Sequence, residues 1–255
     1  MTQDVKDAPL IDHLIELRQR LMVAVLVFLG LSCLSYFFVE DIYRFLMQPL
    51  ADVLPGDNRR LIYTGLTEAF FTYLKLSLFM GAFLSFPIVA VQIWKFVAPG
   101  LYENEKKAFL PFLIATPILF IAGAAFVYYA VFPKAWQFFA GFEVMPGSAE
   151  ASGLGISLEA RVSEYLSLVM QLIFAFGLCF QLPVLLTLMA RAGIVTAESL
   201  AKKRKFAILG AFIIGAVLTP PDIISQVALA LPVLLLYELS ILAIKFVQNK
   251  SESKP

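Results

Sequence analysis

"LMVAVLVFLGLSCLSYFFVED", residues 21–41, decides the fold. Leu21 to Val39 is nineteen residues without a charge, and the run stops at the acidic pair Glu40–Asp41. A helix of about 20 such residues crosses the ~30 Å hydrocarbon core of a bilayer. Five further apolar stretches follow it. They are Phe70–Trp94 with Pro87 inside, Phe109–Phe132, Tyr165–Met189 broken by Pro183, Phe206–Leu218, and Ile223–Phe246 with Pro232 and Glu238 inside. The whole composition agrees: 60% of the 255 residues are hydrophobic, 15% are charged, and mean hydropathy is +0.82. A soluble domain carries about 25% charged residues. The expectation is an all-α polytopic membrane protein of six spans forming one membrane domain over residues 1–255.

Six spans put both termini on one side, and the twenty Lys and Arg residues choose the side. Fourteen fall on the face of the termini, including Arg18, Arg20, Lys95, Lys106, Lys107, Arg191 and Lys202 to Lys205. Six fall opposite: Arg44, Arg59, Arg60, Lys75, Lys134 and Arg161. The positive-inside rule then makes residues 1–20 a cytoplasmic N-terminal segment and 247–255 a cytoplasmic tail. Of the outer loops, "DIYRFLMQPLADVL" reads as an interfacial helix interrupted near Pro49, and "MPGSAEASGLGIS" as a flexible surface loop. The polar first twenty residues, the length of the first apolar run and the lack of a small-residue cleavage site argue against a cleavable leader. No internal repeat supports an inverted-repeat transporter. A net charge of +1 gives no reason to expect nucleic acid as a partner.

Phe206–Leu218 is the short span. Thirteen helical residues reach about 20 Å, well under the hydrocarbon thickness. Pro220–Pro221 stop the helix, and Asp222 can cap the next one. Such a hairpin either packs shallowly on its neighbours, thins the bilayer or recruits a partner helix.

Catalytic chemistry has little to stand on. His13 is the one histidine and precedes the first span, which removes an intramembrane Ser–His dyad and an H-E-x-x-H zinc site. There is no P-loop and no G-x-G-x-x-G, so neither metal nor cofactor is expected. Cys33 and Cys179 lie far apart in apolar runs and read as buried free thiols. Polar residues inside spans are functional candidates, here Gln181 and Glu238. A proton-coupled small-solute transporter built on those two is the alternative reading; bonding to a neighbouring helix is the plainer one.

The remaining charge sits at the cytoplasmic face, in "IDHLIELRQRL" (11–21) and "VAPGLYENEKKAFLPF" (97–112). Glu16 and Arg20 stand i, i+4 on one helix. Glu103 and Glu105 precede Lys106–Lys107, where they also suit the positive start of the next helix. Composition alone assigns neither stretch a function.

Five motifs in order, "HLIELRQRL", "FVAPGLYENEKK", "FPKAW", "FAFGLCFQLPV" and "GAVLTPPDIISQ", resemble the TatC family, the C subunit of the twin-arginine protein translocase. They cover nearly the whole chain, and the short fifth span belongs to the same pattern. The resemblance implies a concave bundle of six helices, both termini inside and spans five and six short, in the bacterial cytoplasmic (inner) membrane. It implies a receptor, not an enzyme. Such a receptor binds signal peptides bearing paired arginines and supports export of folded cargo by the proton-motive force. Its implied partners are single-span TatA- and TatB-type subunits, further copies of itself and membrane lipids. Signal-peptide recognition falls on Glu16 and Glu105, with Glu103 as a helper. Arg18, Phe96, Leu101 and Tyr102 match the rest of the recognition patch, and Thr219, Asp222 and Gln226 the segment where partner helices dock. One departure stands out: Gln181 occupies a position where other members carry a glutamate, so no titrating role is available there.

Overall fold

Hydrocarbon offers no partner for a free backbone amide or carbonyl, so an apolar chain of this length must close its hydrogen bonds within helices or a barrel. This one uses helices. The computed structural model describes residues 4–53, 61–97, 106–142, 159–218 and 223–252. In chain order the helices are α1 Asp4–Phe37, α2 Val39–Ala51, α3 Glu68–Val97 and α4 Lys106–Phe126, then a π-helical turn Val127–Val131 that runs into α5 Phe132–Ala140. They continue as α6 Val162–Cys179, α7 Leu182–Arg191, α8 Ala197–Lys202, α9 Arg204–Leu218 and α10 Ile223–Glu252. Among the described residues the only extended pairing is an isolated parallel bridge, Ile62 with Arg161.

Five segments are long and apolar enough to cross a membrane: Ile11–Phe37, Glu68–Phe96, Pro111–Ala140, Val162–Arg191 and Gln226–Phe246. α9, at fifteen residues, is the expected short helix. The helix-breaking effect of Pro183 appears as the change from α6 to α7 at Phe180–Gln181. Several boundaries differ from expectation. The sixth apolar segment is not short, because α10 is thirty residues long and stays helical to Glu252, through much of the anticipated tail. α1 begins at Asp4, so most of residues 1–20 continues the first span as helix. Cys33 is exposed rather than buried, because α1 turns that face outward.

The chain forms two compact units. The first comprises residues 1–39 and 73–118. Within it α1 and α3 approach at Gly81, where a Cβ would lie 2.7 Å from both the amide nitrogen and the Cα of Ser32. Only glycine lets the two backbones come so close, the usual device for packing helices that gain nothing from water exclusion. Hydroxyls in this unit bond back along their own helices. Ser32 donates to the Phe28 carbonyl at 2.7 Å, Ser77 to Tyr73 at 2.8 Å and Thr116 to Phe112 at 2.8 Å. No hydroxyl of these three is therefore left unpaired in an apolar setting.

The second unit comprises residues 40–72 and 119–255. Its core holds Phe120, Phe132, Leu166, Val169 and Phe176, all fully buried. One end is closed by Glu68, whose carboxylate accepts from Ser163 Oγ at 2.5 Å and from the amides of Thr64 (2.9 Å) and Gly65 (3.2 Å). Beside it the Arg161 guanidinium reaches Thr64 Oγ1 and Glu164. Elsewhere α8 and α10 share a small core of Ala197, Leu200, Ile241 and Ile244, against which Leu186 and Ala190 of α7 pack. α8 starts on a reciprocal cap between Thr196 and Ser199, and Tyr237 donates to the Leu200 carbonyl at 2.8 Å.

Pro49 does not interrupt α2, contrary to the sequence reading. Proline lacks an N–H, so the carbonyl four residues earlier, that of Phe45, loses its helical partner. The Tyr128 hydroxyl supplies the missing donor at 2.6 Å, and Tyr165 donates to the next carbonyl, Leu46, at 3.0 Å. Tyr128→Phe keeps the ring that stacks on Phe45 (centroids 4.4 Å apart) and removes only the donor. It is expected to destabilise the fold by about 1–3 kcal/mol, the cost of orphaning a buried acceptor. A thermal melt in detergent against wild type measures it; an unchanged midpoint would remove the hydroxyl from the account.

Candidate functional site

The twenty-seven residues of the first span would extend about 40 Å, roughly two turns more than hydrocarbon requires. Asp12 and Glu16 lie in the excess at its N-terminal end, and Arg18 and Arg20 follow directly. There the first unit builds a polar cluster between α1 and the end of α3. Arg20 Nε donates to Glu16 Oε1 at 2.9 Å, and Arg20 Nη2 donates to the same oxygen. Gln92 on α3 accepts from Arg20 Nη1 at 3.5 Å, one turn before Phe96. The Phe96 ring in turn stacks on His13, centroids 4.3 Å apart and planes 17° from parallel. His13 Nδ1 lies 3.9 Å from the other carboxylate oxygen, Glu16 Oε2.

The arrangement follows from spacing. His13, Glu16 and Arg20 stand three and four residues apart, hence on one helical face, and Gln92 and Phe96 repeat the i, i+4 relation on α3. Arg20 spends two donors on a single oxygen, which leaves Oε2 without a hydrogen bond from it on a side chain that is 33% exposed. A carboxylate so fixed can accept a second planar guanidinium.

Of the residues expected from the sequence, the structure brings Glu16 and Phe96 into this cluster and leaves Arg18 exposed. Leu101, Tyr102, Glu103 and Glu105 lie outside the described residues, as do Thr219 and Asp222. Gln92 and the ring stack on His13 had escaped the sequence reading. The i, i+4 step from Gln92 to Phe96 was the available signal, but an amide in an apolar run names no partner.

One expectation changes in the second unit. Glu238 is not a lone intramembrane acid. Arg204, at the start of α9, grips it through Nε (2.6 Å to Oε1) and Nη2 (2.8 Å to Oε2), with both side chains about half exposed. The solute-carrier reading took Glu238 as a lone intramembrane acid, and the two-point fork from Arg204 removes that premise. Gln226 donates to the Phe212 carbonyl of α9 at 3.0 Å and lies against Gly215. Gln181 sits at the α6–α7 break, its amide 3.5 Å from the Gly177 carbonyl. Among the described residues no group of three His, Cys, Asp or Glu side chains is placed to hold a metal.

Comparison with known proteins agrees with this architecture. Residues 12–232 match the family described as Sec-independent protein translocase protein (TatC). A Sec-independent protein translocase protein TatC from Magnetococcus marinus is 47% identical over 98% of this chain and 89% of its own length. Those of Rickettsia prowazekii and Escherichia coli K12 are 46% and 37% identical, over 93% and 96% of this chain and 93% and 92% of theirs. A crystal structure of a twin-arginine translocase receptor, TatC, superposes with a TM-score of 0.79 at 37% identity, covering 92% of this chain and 99% of that one. The chain is thus a multi-pass membrane protein that belongs to the TatC family of Sec-independent protein translocase components.

Proposed function

We propose that this chain is the subunit of the twin-arginine translocase that receives signal peptides, and that Glu16 takes one arginine of the pair. It acts as a transport component, not a catalyst. The observation that carries the reading is the geometry at Glu16. One carboxylate oxygen accepts from Arg20, whose guanidinium also reaches Gln92, the other takes no hydrogen bond from Arg20, and the stacked His13 and Phe96 rings stand beside them.

Paired arginines present two forks, so two separately placed acids are needed to read both. Glu105 follows the end of α3 by eight residues and is the second acid, with Glu103 reinforcing its field. Phe96, Leu101 and Tyr102 receive the apolar residues beyond the arginine pair, and Arg18 meets lipid phosphate or steadies Glu16. In this reading α9 counts as the fifth of six crossings, both termini are cytoplasmic, and the membrane is the bacterial inner one. Single-span TatA- and TatB-type helices dock along α9 and α10 near Thr219, Asp222 and Gln226. The subunit associates with its own copies and uses the proton-motive force through the assembled complex.

The test is binding of a fluorescent twin-arginine peptide to the full chain in nanodiscs. A peptide with Lys-Lys in place of Arg-Arg is expected to bind at least tenfold more weakly, since an ammonium cannot form the fork. Equal affinity for the two peptides would sink the receptor geometry.

A further inference from the structure

Away from the Glu16 cluster, the second unit holds a cavity of about 320 Å³ between α2 and the π-helical turn. We propose that this cavity binds the ammonium headgroup of an ethanolamine-type lipid. Its polar atoms are almost all acceptors. The Gln48 amide nitrogen donates to Asp52 Oδ1 at 2.8 Å, which leaves the amide oxygen and Asp52 Oδ2 as further acceptors. The Tyr128 hydroxyl proton is committed to the Phe45 carbonyl. Among the described residues no cationic side chain pairs with Asp52.

The walls are aromatic. Tyr128 stacks on Phe45, and Tyr129 stands at 79° to Tyr128 with centroids 4.8 Å apart, so two ring planes meet in a corner. Pro49 and Pro133 close the apolar sides. Aromatic rings beside one carboxylate suit a cation, and a site of this make-up disfavours a free anion. The π-helical turn matters here: inserted turns of this kind reorient side chains and recur at functional sites.

Location selects the source of the cation. α2, which forms one wall of the cavity, begins at Val39, two residues after the first apolar span ends at Phe37. That is close to the hydrocarbon boundary, where headgroups lie. Tyr129 and Phe45 are 70% and 53% exposed, so the cavity is open to the protein surface. A volume near 300 Å³ accommodates a headgroup, not a folded partner.

The experiment uses the full chain in nanodiscs of equimolar phosphatidylethanolamine and phosphatidylglycerol, followed by native mass spectrometry of the lipids retained. Wild type is expected to keep phosphatidylethanolamine in several-fold excess. Asp52→Asn and Tyr129→Leu should bring the ratio back to about one while leaving the thermal midpoint unchanged, since both side chains are exposed. Parity in wild type, or an excess that survives both substitutions, would overturn the site. Retention of free phosphoethanolamine with no lipid preference would also overturn it, by assigning the cavity to a soluble amine. None of these outcomes depends on signal-peptide binding, so the site and the receptor reading stand or fall separately.

Discussion

Replacing Gly123 with valine is expected to destabilise the protein by about 3 kcal/mol, the upper end of overpacking costs. A Cβ at this position would lie 2.6 Å from the carbonyl oxygen of Phe176 and 2.9 Å from its carbonyl carbon, with the Phe180 ring also at 2.9 Å. The two closest atoms are backbone, so no rotamer change can make room. α4 and α6 must move apart, and the packing they share must loosen. That packing holds Phe120, fully buried with its ring edge-on to Phe174 at 5.9 Å, and Phe126, 5.9 Å from Phe176 and 5.8 Å from Phe180. Gly210 on α9 is the control, because a Cβ there meets nothing within 4 Å. Gly210→Ala removes a flexible residue from a helix interior and should be neutral or slightly stabilising. Thermal melts of both variants in one detergent compare them directly. Similar midpoints would mean that the α4–α6 approach is not tight.

The largest functional effect is expected from Glu16→Gln. The amide keeps the shape of the carboxylate and can still accept from Arg20, so the helix and the His13–Phe96 stack should survive. What it lacks is charge. A hydrogen bond to a charged group contributes about 1.5–3 kcal/mol, so the twin-arginine peptide should lose about 10- to 150-fold in affinity. Glu105→Gln should cost a similar factor if each acid takes one guanidinium, and the Lys-Lys peptide should respond far less to either change. Undiminished binding by the Glu16→Gln variant would remove that carboxylate from the recognition site.

Much of this molecule could be read without coordinates because membrane crossing is a local property. Uncharged runs such as Leu21–Val39 announce helices, and Pro183 marked the α6–α7 break. What failed depended on contacts between distant segments. Pro49 looks like an interruption only while α2 is considered alone; the donor that keeps the helix intact comes from Tyr128. Glu238 looks like a lone acid until Arg204, thirty-four residues earlier, is brought beside it. At the candidate site the Glu16–Arg20 pair was legible from its i, i+4 spacing. Gln92 was not, because nothing in "VQIW" says which helix it faces. The proposal of Glu105 as second acid rests on family resemblance rather than geometry.

The tyrosine donors to α2 also bear on the order in which the protein is made. Phe45 and Leu46 leave the ribosome 83 and 119 residues ahead of the side chains that complete them. At about 5–20 residues per second, α2 waits several seconds for Tyr128 and longer for Tyr165. Until then the helix carries an unpaired carbonyl at Phe45 and has no anchor from either tyrosine. Its final seating is therefore a late event in biogenesis, contingent on insertion of the third and fourth spans. A nascent chain arrested between them would have the first tyrosine anchor in place and the second still missing.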